Sequence, residues 1–411
     1  MNFLFLLHMT NAVCICSRNK LVKVMINKEK TLLYIVDNLS RSHGWSTYAY
    51  NIIHEAIRSG YCVHVVVERV YEIPIHGVHQ YPILVSPLRL IWNPWRIFHQ
   101  WIHVHKILNT VKPDIVHVIS EPYMQIFSIP FLKYPKVVLT VHGTYSVLPL
   151  TMSRGFRRYI SALLFKRALD VCERVICVSS ATKKKFLDFA VDYPSEKVVI
   201  IYNAIVLKEL PPKTMGEGNS DIYRIITVGE VKRRKGIHDT IRLFSAWAKL
   251  RKKKVVYDVV GNINESSDYV KMVRKIAQEF SSEHFSVVFR GKVTDEEKSR
   301  LLRSASLYVH LERVSEDSSD IEGFGIGIIE AASYGLPALV AEGSATAEAV
   351  SNKVSGLVVN LDEQYIYDSI DQLLVGQNFL PNLAVSWAQA HSLEVAFAKI
   401  DKEYSVIIRQ K

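Results

Sequence analysis

The sequence predicts an α/β protein built from two Rossmann-like, doubly wound domains that face a central cleft. Three observations predict it. From residue 31 onward, short β-branched runs alternate with amphipathic helical stretches, the pattern of parallel sheets joined by crossover helices. The texture breaks at Leu210-Pro211-Pro212 through Gly216-Glu217-Gly218-Asn219-Ser220, and the alternation then restarts. A length of 411 residues also exceeds what one ordinary core organises.

The elements follow in order. Thr31–Val36 reads as a buried strand, followed by a polar turn through Gly44 and a helix over 46–58 with Tyr48, Ala49, Ile52, Ile53 and Ala56 on one face. Gly60 stops that helix, and 62–67 is the next strand. The Trp-rich stretch 91–108 reads as helical, with Pro94 restarting it. Further strands are expected at 114–119, 137–141, 175–178 and 198–202. Beyond the break, strands are expected at 222–228, 255–260, 286–289, 307–311, 338–341 and 356–359. The helices between them include 237–250, 268–280 and 296–304, and the last helical stretch, 383–408, is expected to pack back on the first domain. The resulting division is an appendage over 1–24, a first domain over 25–207, a second over 208–384, and a returning helix over 385–411.

Composition narrows the class. Hydrophobic residues make up 49% and charged residues 22%, which excludes disordered and fibrous chains. No run of eighteen apolar residues is present, so no conventional membrane span is expected. Residues 1–200 hold 24 Lys and Arg against 12 Asp and Glu, whereas the remainder holds 27 against 28. One half is basic and the other near neutral, which points to one domain meeting an anionic surface or ligand. Cys14, Cys16, Cys62, Cys172 and Cys177 form neither a disulfide ladder nor a C-x-x-C metal site, as expected of a cytoplasmic chain. The opening Met1-Asn2-Phe3-Leu4-Phe5-Leu6-Leu7 lacks a basic flank and a clean cleavage site, so it is not read as a signal peptide; Met25 is a second candidate start.

Ligands of open parallel sheets bind beyond the carboxyl ends of the strands, so polar residues directly after strands are the candidates. Gly229-Glu230-Val231-Lys232-Arg233-Arg234-Lys235-Gly236 combines a glycine turn, cations and a helix start, which suits a phosphate; a solvated basic turn is the other reading. Glu322-Gly323-Phe324-Gly325-Ile326-Gly327-Ile328-Ile329-Glu330 places two carboxylates around a glycine-rich helix entrance. Carboxylates there suit a hydroxyl-rich ligand, although a Glu can also serve its own helix start. His142 follows the strand 137–141 beside Gly143 and is expected to reach the cleft; a lone histidine also fits a structural role.

Together these residues resemble the donor signature of the family 4 retaining glycosyltransferases, which have the GT-B fold. The Glu-x7-Glu pair lies in "EGFGIGIIEAASYGLPALVA". In the same order as in that family come "KPDIVHV" at 112–118, "VLTVHGT" at 138–144, "RVICVSSATKKKF" at 174–186, "VGEVKRRKG" at 228–236, "YDVVGN" at 257–262, "VVFRGKV" at 287–293 and "SGLVV" at 355–359. The resemblance implies a nucleotide-sugar donor. It implies that Glu322 holds sugar hydroxyls, Glu330 the ribose, Lys235 the diphosphate, and that the amides of Phe324, Gly325, Ile326 and Gly327 lie near sugar and diphosphate. Val293 would lie near the base, His142 would touch the sugar from the facing domain, and Gly44 would let the first-domain loop approach the phosphates. Glu348 matches a frequent acidic position of the family. Catalysis would rest on Glu322 and His142, with no cofactor and no metal, since no D-x-D is present.

The chain departs from that pattern. Glu230 stands where the family usually has Arg, so Arg233 or Arg234 would have to substitute. Gly44-Trp45 replaces a double glycine, Asn203-Ala204 replaces Asn-Gly, and Glu316, Asp317 and Asp320 make the loop before Glu322 acidic. Glu230 and Ala204 motivate an alternative function, a catalytically silent GT-B partner of an active transferase. A nicotinamide enzyme is excluded because G-x-G-x-x-G does not follow the first strand. No nucleic-acid motif is present either. The acceptor is expected to be a glycan or a lipid-linked glycan of surface polysaccharide or glycolipid synthesis. Arg154, Arg157, Arg158, Lys166, Arg167 and Lys183-Lys184-Lys185 suit an anionic membrane surface, with 155–169 as an interfacial helix or an ordinary amphipathic one.

Overall fold

The computed structural model describes residues 12–17, 20–25, 30–40, 44–71, 77–129, 134–143, 156–207, 222–312, 322–361, 365–375 and 379–409. Thr144, Tyr145, Arg154, Gly155, the expected linker 210–220 and the acidic Glu316, Asp317 and Asp320 lie outside them. The first 24 residues, expected as an appendage, hold most of an antiparallel hairpin of β1 (Ala12–Ser17) and β2 (Lys20–Met25), whose strands pair with each other.

The first large sheet contains β3 (Thr31–Ile35), β4 (Cys62–Val67), β5 (Val78–Pro82), β6 (Ile115–Val118), β7 (Lys136–Val141), β8 (Cys172–Cys177) and β9 (Val198–Ile200), in the order β5-β4-β3-β6-β7-β8-β9. The second contains β10 (Ile222–Val228), β11 (Lys254–Val260), β12 (Phe285–Gly291), β13 (Leu307–His310), β14 (Ala338–Ala341) and β15 (Gly356–Val359), in the order β12-β11-β10-β13-β14-β15. The recorded pairings within both sheets are parallel. Helices cover both faces of a parallel sheet, so its central strands need apolar side chains on both sides. The runs of Val, Leu and Ile in β3, β6, β13 and β14 meet that need, and their interiors are buried. In each sheet the strand order reverses beside the first strand, between β3 and β6 and between β10 and β13. A crevice opens at such a switch point.

Local chemistry explains where the elements differ from expectation. The stretch 91–108 divides into Pro87–Trp92 and Pro94–Val111, because Pro94 has no N–H to continue a helix and starts the next one. Asn93 caps that second start by accepting the Trp95 N–H at 3.1 Å. The edge strand β5 was not expected, since its sequence lacks an apolar alternation. Nor was the 3-10 segment Glu121–Ser128, which is buried along its whole length.

The chain crosses between the domains twice. After β9, Ile205 exchanges backbone hydrogen bonds with His391 and Leu393. The helix Leu393–Arg409 then inserts Leu393, Ala396, Phe397, Ile400, Tyr404 and Ile407 into the apolar cluster around Leu32, Tyr34 and Ile52 of the first domain. An ion pair of Arg174 with Glu403 at 2.9 Å fixes it against β8. The preceding helix Pro381–Gln389 buries Ala384 and Ala388 in the second domain.

Candidate functional site

The site starts at the carboxyl ends of β10 and β13, on either side of the second switch point. After β10 the chain turns at Gly229, whose φ is +143° and where a Cβ would meet Lys235 Cε at 2.8 Å. A 3-10 turn Arg233–Lys235 follows, and Gly236 opens the helix Ile237–Arg251. Gly236 has φ +61°, and a Cβ there would stand 1.9 Å from the Leu311 carbonyl oxygen, so only glycine fits. This close approach sets Arg234 and Lys235 beside the end of β13. There His310 Nε2 lies 3.1 Å from the Arg234 carbonyl oxygen. Burial, aided by Lys235, pushes the His310 imidazole down to about 3, so it is neutral at pH 7 and its Nε2–H donates.

Glu322 closes the arrangement. Lys235 Nζ at 2.8 Å and Arg234 Nε at 3.0 Å both meet one of its oxygens, Oε2. Burial opposes ionisation of Glu322, but Lys235 and then Arg234 outweigh it and hold the carboxyl below the usual carboxylate range. Glu322 therefore serves two cations and not its own helix start, whose N-cap is Gly325 at φ +93°. Lys235 is only 7% exposed, so this is a partly desolvated ion cluster.

Next in the chain, Gly323 meets the first domain: a Cβ on it would stand 2.3 Å from the His142 carbonyl oxygen. Phe324 is buried and stacks on Tyr202 with centroids 5.0 Å apart. Ile326 and Gly327 form the first turn of the helix Ile326–Ser333, where backbone amides lack intrahelical partners. Gly327 also answers to packing, because a Cβ there would lie 2.5 Å from Tyr308 Oη. Glu330 sits one turn on and pairs with Lys298 at 2.7 Å.

From the first domain, His142 follows β7. Its backbone N–H and that of Gly143 donate to Glu121 Oε1, a carboxylate buried at the end of β6. The ring meets Tyr48 edge-on at 4.9 Å, and its Nε2 is buried without a hydrogen-bond partner. Burial pushes this imidazole down to about 4, so it too is neutral at pH 7.

The other expected residues have these surroundings. Arg233 and Arg234 are not interchangeable: Arg233 lies over the Tyr269 ring at 5.6 Å, and Arg234 alone of the two pairs with Glu322. Glu230 pairs with Lys232 at 2.8 Å. Gly44 is exposed at the start of Gly44–Arg58, and among the described residues a Cβ there would meet nothing within 4 Å. Val293 is half-buried against the apolar cluster of the second domain. Lys183 donates to the Val198 carbonyl at 2.7 Å and so turns back on its own domain.

The sequence reading missed Glu121 and Glu312. Both lie within three residues of a strand end, so searching every polar residue just after a strand would have found them. Glu312 is 3% exposed, and its Oε1 accepts the Glu322 backbone N–H at 3.3 Å. Among the described residues no group of His, Cys, Asp and Glu is arranged to hold a metal ion. None of the described helices is long and apolar enough to cross a membrane.

Two Rossmann-like domains with such a cleft between their strand ends have the architecture of the GT-B glycosyltransferases. Residues 43–209 match the family model Glycosyltransferase Family 4, and residues 217–390 match Glycosyl transferases group 1. The chain belongs to the family 4 glycosyltransferases of GT-B fold. It is similar to a glycosyltransferase from Rickettsia africae, with 16% identity, a TM-score of 0.68, and coverage of 93% of this chain and 100% of that one. It is also similar to Anabaena HepE in complex with UDP and glucose, with 17% identity, a TM-score of 0.65, and coverage of 92% and 100%. Sucrose-phosphate synthase from Thermosynechococcus elongatus shares the fold at 14% identity and a TM-score of 0.68, covering 93% and 100%. An uncharacterized glycosyltransferase of Methanocaldococcus jannaschii is 25% identical over 269 residues; this match spans 63% of the chain but only 61% of that relative's own length.

Proposed function

We propose that the chain is a retaining glycosyltransferase that moves a sugar from a nucleotide-sugar donor to a glycan or lipid-linked acceptor. The observation that carries this reading is the pairing of Glu322 with Lys235 and Arg234 at the switch point, with His142 of the other domain beside it. Anabaena HepE binds UDP and glucose at a site of the same fold, which makes UDP-sugars the first donors to test.

The chemistry follows from the residues. Breaking the bond between the anomeric carbon and phosphate leaves negative charge on the diphosphate. Lys235, Arg234 and the free amides of Ile326 and Gly327 would offset that charge; one well-placed donor of this kind contributes about 3 kcal/mol. Donor binding would then bring the two cations a second anion. Glu322, freed in part from them, would accept sugar hydroxyls, and Glu330 would accept those of the ribose. Neutral His142 brings no charge to the sugar and offers Nε2 as a hydrogen-bonding atom. In a front-face transfer, the departing phosphate oxygen takes the acceptor proton as the new bond forms on the side of the sugar that the old one leaves.

The acceptor side is read from the first domain. Phe156, Tyr159 and Leu163 are 76%, 66% and 52% exposed along one side of the helix Phe156–Ala168, whose Phe165 and Ala168 are buried. Trp95 and Phe98 are exposed on the helix Pro94–Val111, and the cations Arg89, Lys166 and Arg167 of the first domain are exposed as well. Apolar side chains outward among cations support an interfacial helix and peripheral attachment to an anionic cytoplasmic membrane face.

A donor screen of the purified protein with UDP-, GDP- and ADP-sugars tests the central reading, and EDTA tests its metal independence. Turnover that survives EDTA is expected; a strict requirement for manganese would overturn the metal-free site. Glu230, spent on Lys232 in place of a cation, favours one second reading, a silent partner subunit, and absence of binding to every donor would support that instead.

A further inference from the structure

Glu312 is a buried carboxyl beside the ion cluster of Glu322, Lys235 and Arg234. It lies two residues past the end of β13, its Oε1 accepts the Glu322 backbone N–H at 3.3 Å, and its Oε2 is buried with no hydrogen-bond partner. Among the described residues, the charged groups that act on it are Glu322 on the glycine loop and Lys235 and Arg234 on the turn after β10, with the neutral His310 at the end of β13. From the first domain, Lys185 on the helix Ser180–Phe189 also feels its charge.

We propose that Glu312 is a positioning residue of the Glu322 clamp: it holds the Glu322 backbone in place and, by its own charge state, sets how strongly Lys235 and Arg234 grip an anionic diphosphate. The proposal rests on the transferase reading. A neutral Glu312 leaves both cations to Glu322 and the donor. An ionised Glu312 places a second carboxylate beside them, which competes for the cations and repels the diphosphate. Burial first, and the charge of Glu322 second, push this carboxyl up to about 7, so the exchange falls within the working pH range.

The sign follows from linkage. An acid raised on folding contributes stability below its unfolded range, and that contribution is lost as pH rises through the folded value. Glu312→Gln keeps an acceptor oxygen and cannot ionise, whereas Glu312→Ala removes the acceptor. The test compares thermal unfolding of the wild type and Glu312→Gln from pH 5 to 8.5, then UDP and GDP dissociation constants over the same range. The melts should lie close together near pH 5, separate as pH rises towards 7 and stay apart above it, with the Gln variant more stable. The ratio of wild-type to Gln dissociation constants for the nucleotide that binds should rise five- to ten-fold from pH 6 to 8.5; using one ligand for both proteins cancels its own ionisation. Glu312→Ala should lose affinity at every pH, with Gln restoring it near pH 6. Melts that coincide throughout, or a ratio that stays flat, would overturn the proposal. Failure of the transferase reading would appear separately, as wild-type protein without donor turnover, and the melts need no substrate.

Discussion

The carboxylate of Glu348 in the second domain accepts the backbone N–H groups of Ser180 at 2.8 Å and Ala181 at 3.1 Å in the first. These residues begin the helix Ser180–Phe189, whose N-cap Ser179 already forms a capping box with Thr182. A helix start carries unpaired amides and partial positive charge, so an anion is favoured there. Here the anion comes from the opposite domain. Tyr202, which stacks on Phe324 of the glycine loop, has its phenol pushed up by burial and then by the nearby charge of the same carboxylate. Glu348 thus ties the second domain to the first at the start of this helix.

Removing that carboxylate in Glu348→Ala should loosen closure more than it loosens either domain. A hydrogen bond to a charged group is worth about 1.5–3 kcal/mol when buried. Ser180 is exposed, so solvent screening brings the expected loss to about 1 kcal/mol. Small-angle scattering should show a larger radius of gyration, and nucleotide affinity should fall several-fold. An unchanged radius together with unchanged affinity would remove Glu348 from closure.

Glu322→Gln should act on stability and transfer together. Two cations would lose their shared carboxylate in a partly desolvated cluster, a loss of about 3 kcal/mol near neutral pH. The wild-type carboxyl is depressed on folding, so its contribution is present above the unfolded carboxyl range and is lost as pH falls through the folded value. Melts of wild type and variant should therefore differ at pH 7 and converge in strong acid. Transfer should fall about 100-fold, as when a charge-stabilising group is removed. Equal turnover at equal folded fraction would sink the assignment.

Much of this was legible because parallel sheets write themselves in β-branched runs, and the strands of the second domain fall within a residue or two of expectation. Glycine loops were legible for a similar reason: Gly229, Gly236 and Gly325 occupy backbone conformations that few other residues adopt. Pairings between distant segments were not legible. Nothing near Glu312 in the sequence says that it touches Glu322 ten residues on, and nothing near Glu348 names Ser180. Arg233 and Arg234 read alike until the turn sends one to Tyr269 and the other to Glu322.

That split makes Glu230 informative. Its carboxylate pairs with Lys232 on a half-exposed turn, opposite in sign to what a diphosphate site wants. Glu230→Arg should lower the donor KM several-fold, about 1 kcal/mol for one partly screened charge reversal. Arg234→Met should raise it at least as much, and the double variant should recover part of the loss. Initial rates at varied donor concentration measure all three. A higher KM in Glu230→Arg would show that the turn faces away from the phosphates.

Two glycines separate folding from closure, because each stands against a carbonyl oxygen but on a different side of the cleft. At Gly236 an added Cβ would lie 1.9 Å from Leu311 O, within the second domain, at a φ of +61°. The left-handed backbone alone costs a side chain about 1 kcal/mol, and the clash with rigid backbone adds to it. Gly236→Ala should therefore lower the melting temperature steeply and take activity with it. At Gly323 the Cβ would lie 2.3 Å from His142 O, across the cleft, and φ there is not left-handed. Relief needs only that the domains part by about 1 Å, a displacement that can cost about 100-fold in rate when it separates reacting groups. Gly323→Ala should keep a melting temperature within a few degrees of wild type while losing about 100-fold in kcat/KM. Calorimetry and donor kinetics on the pair decide the matter. If Gly323→Ala unfolds as readily as Gly236→Ala, the contact holds the fold together; if it keeps full activity, the contact with His142 is not needed for transfer.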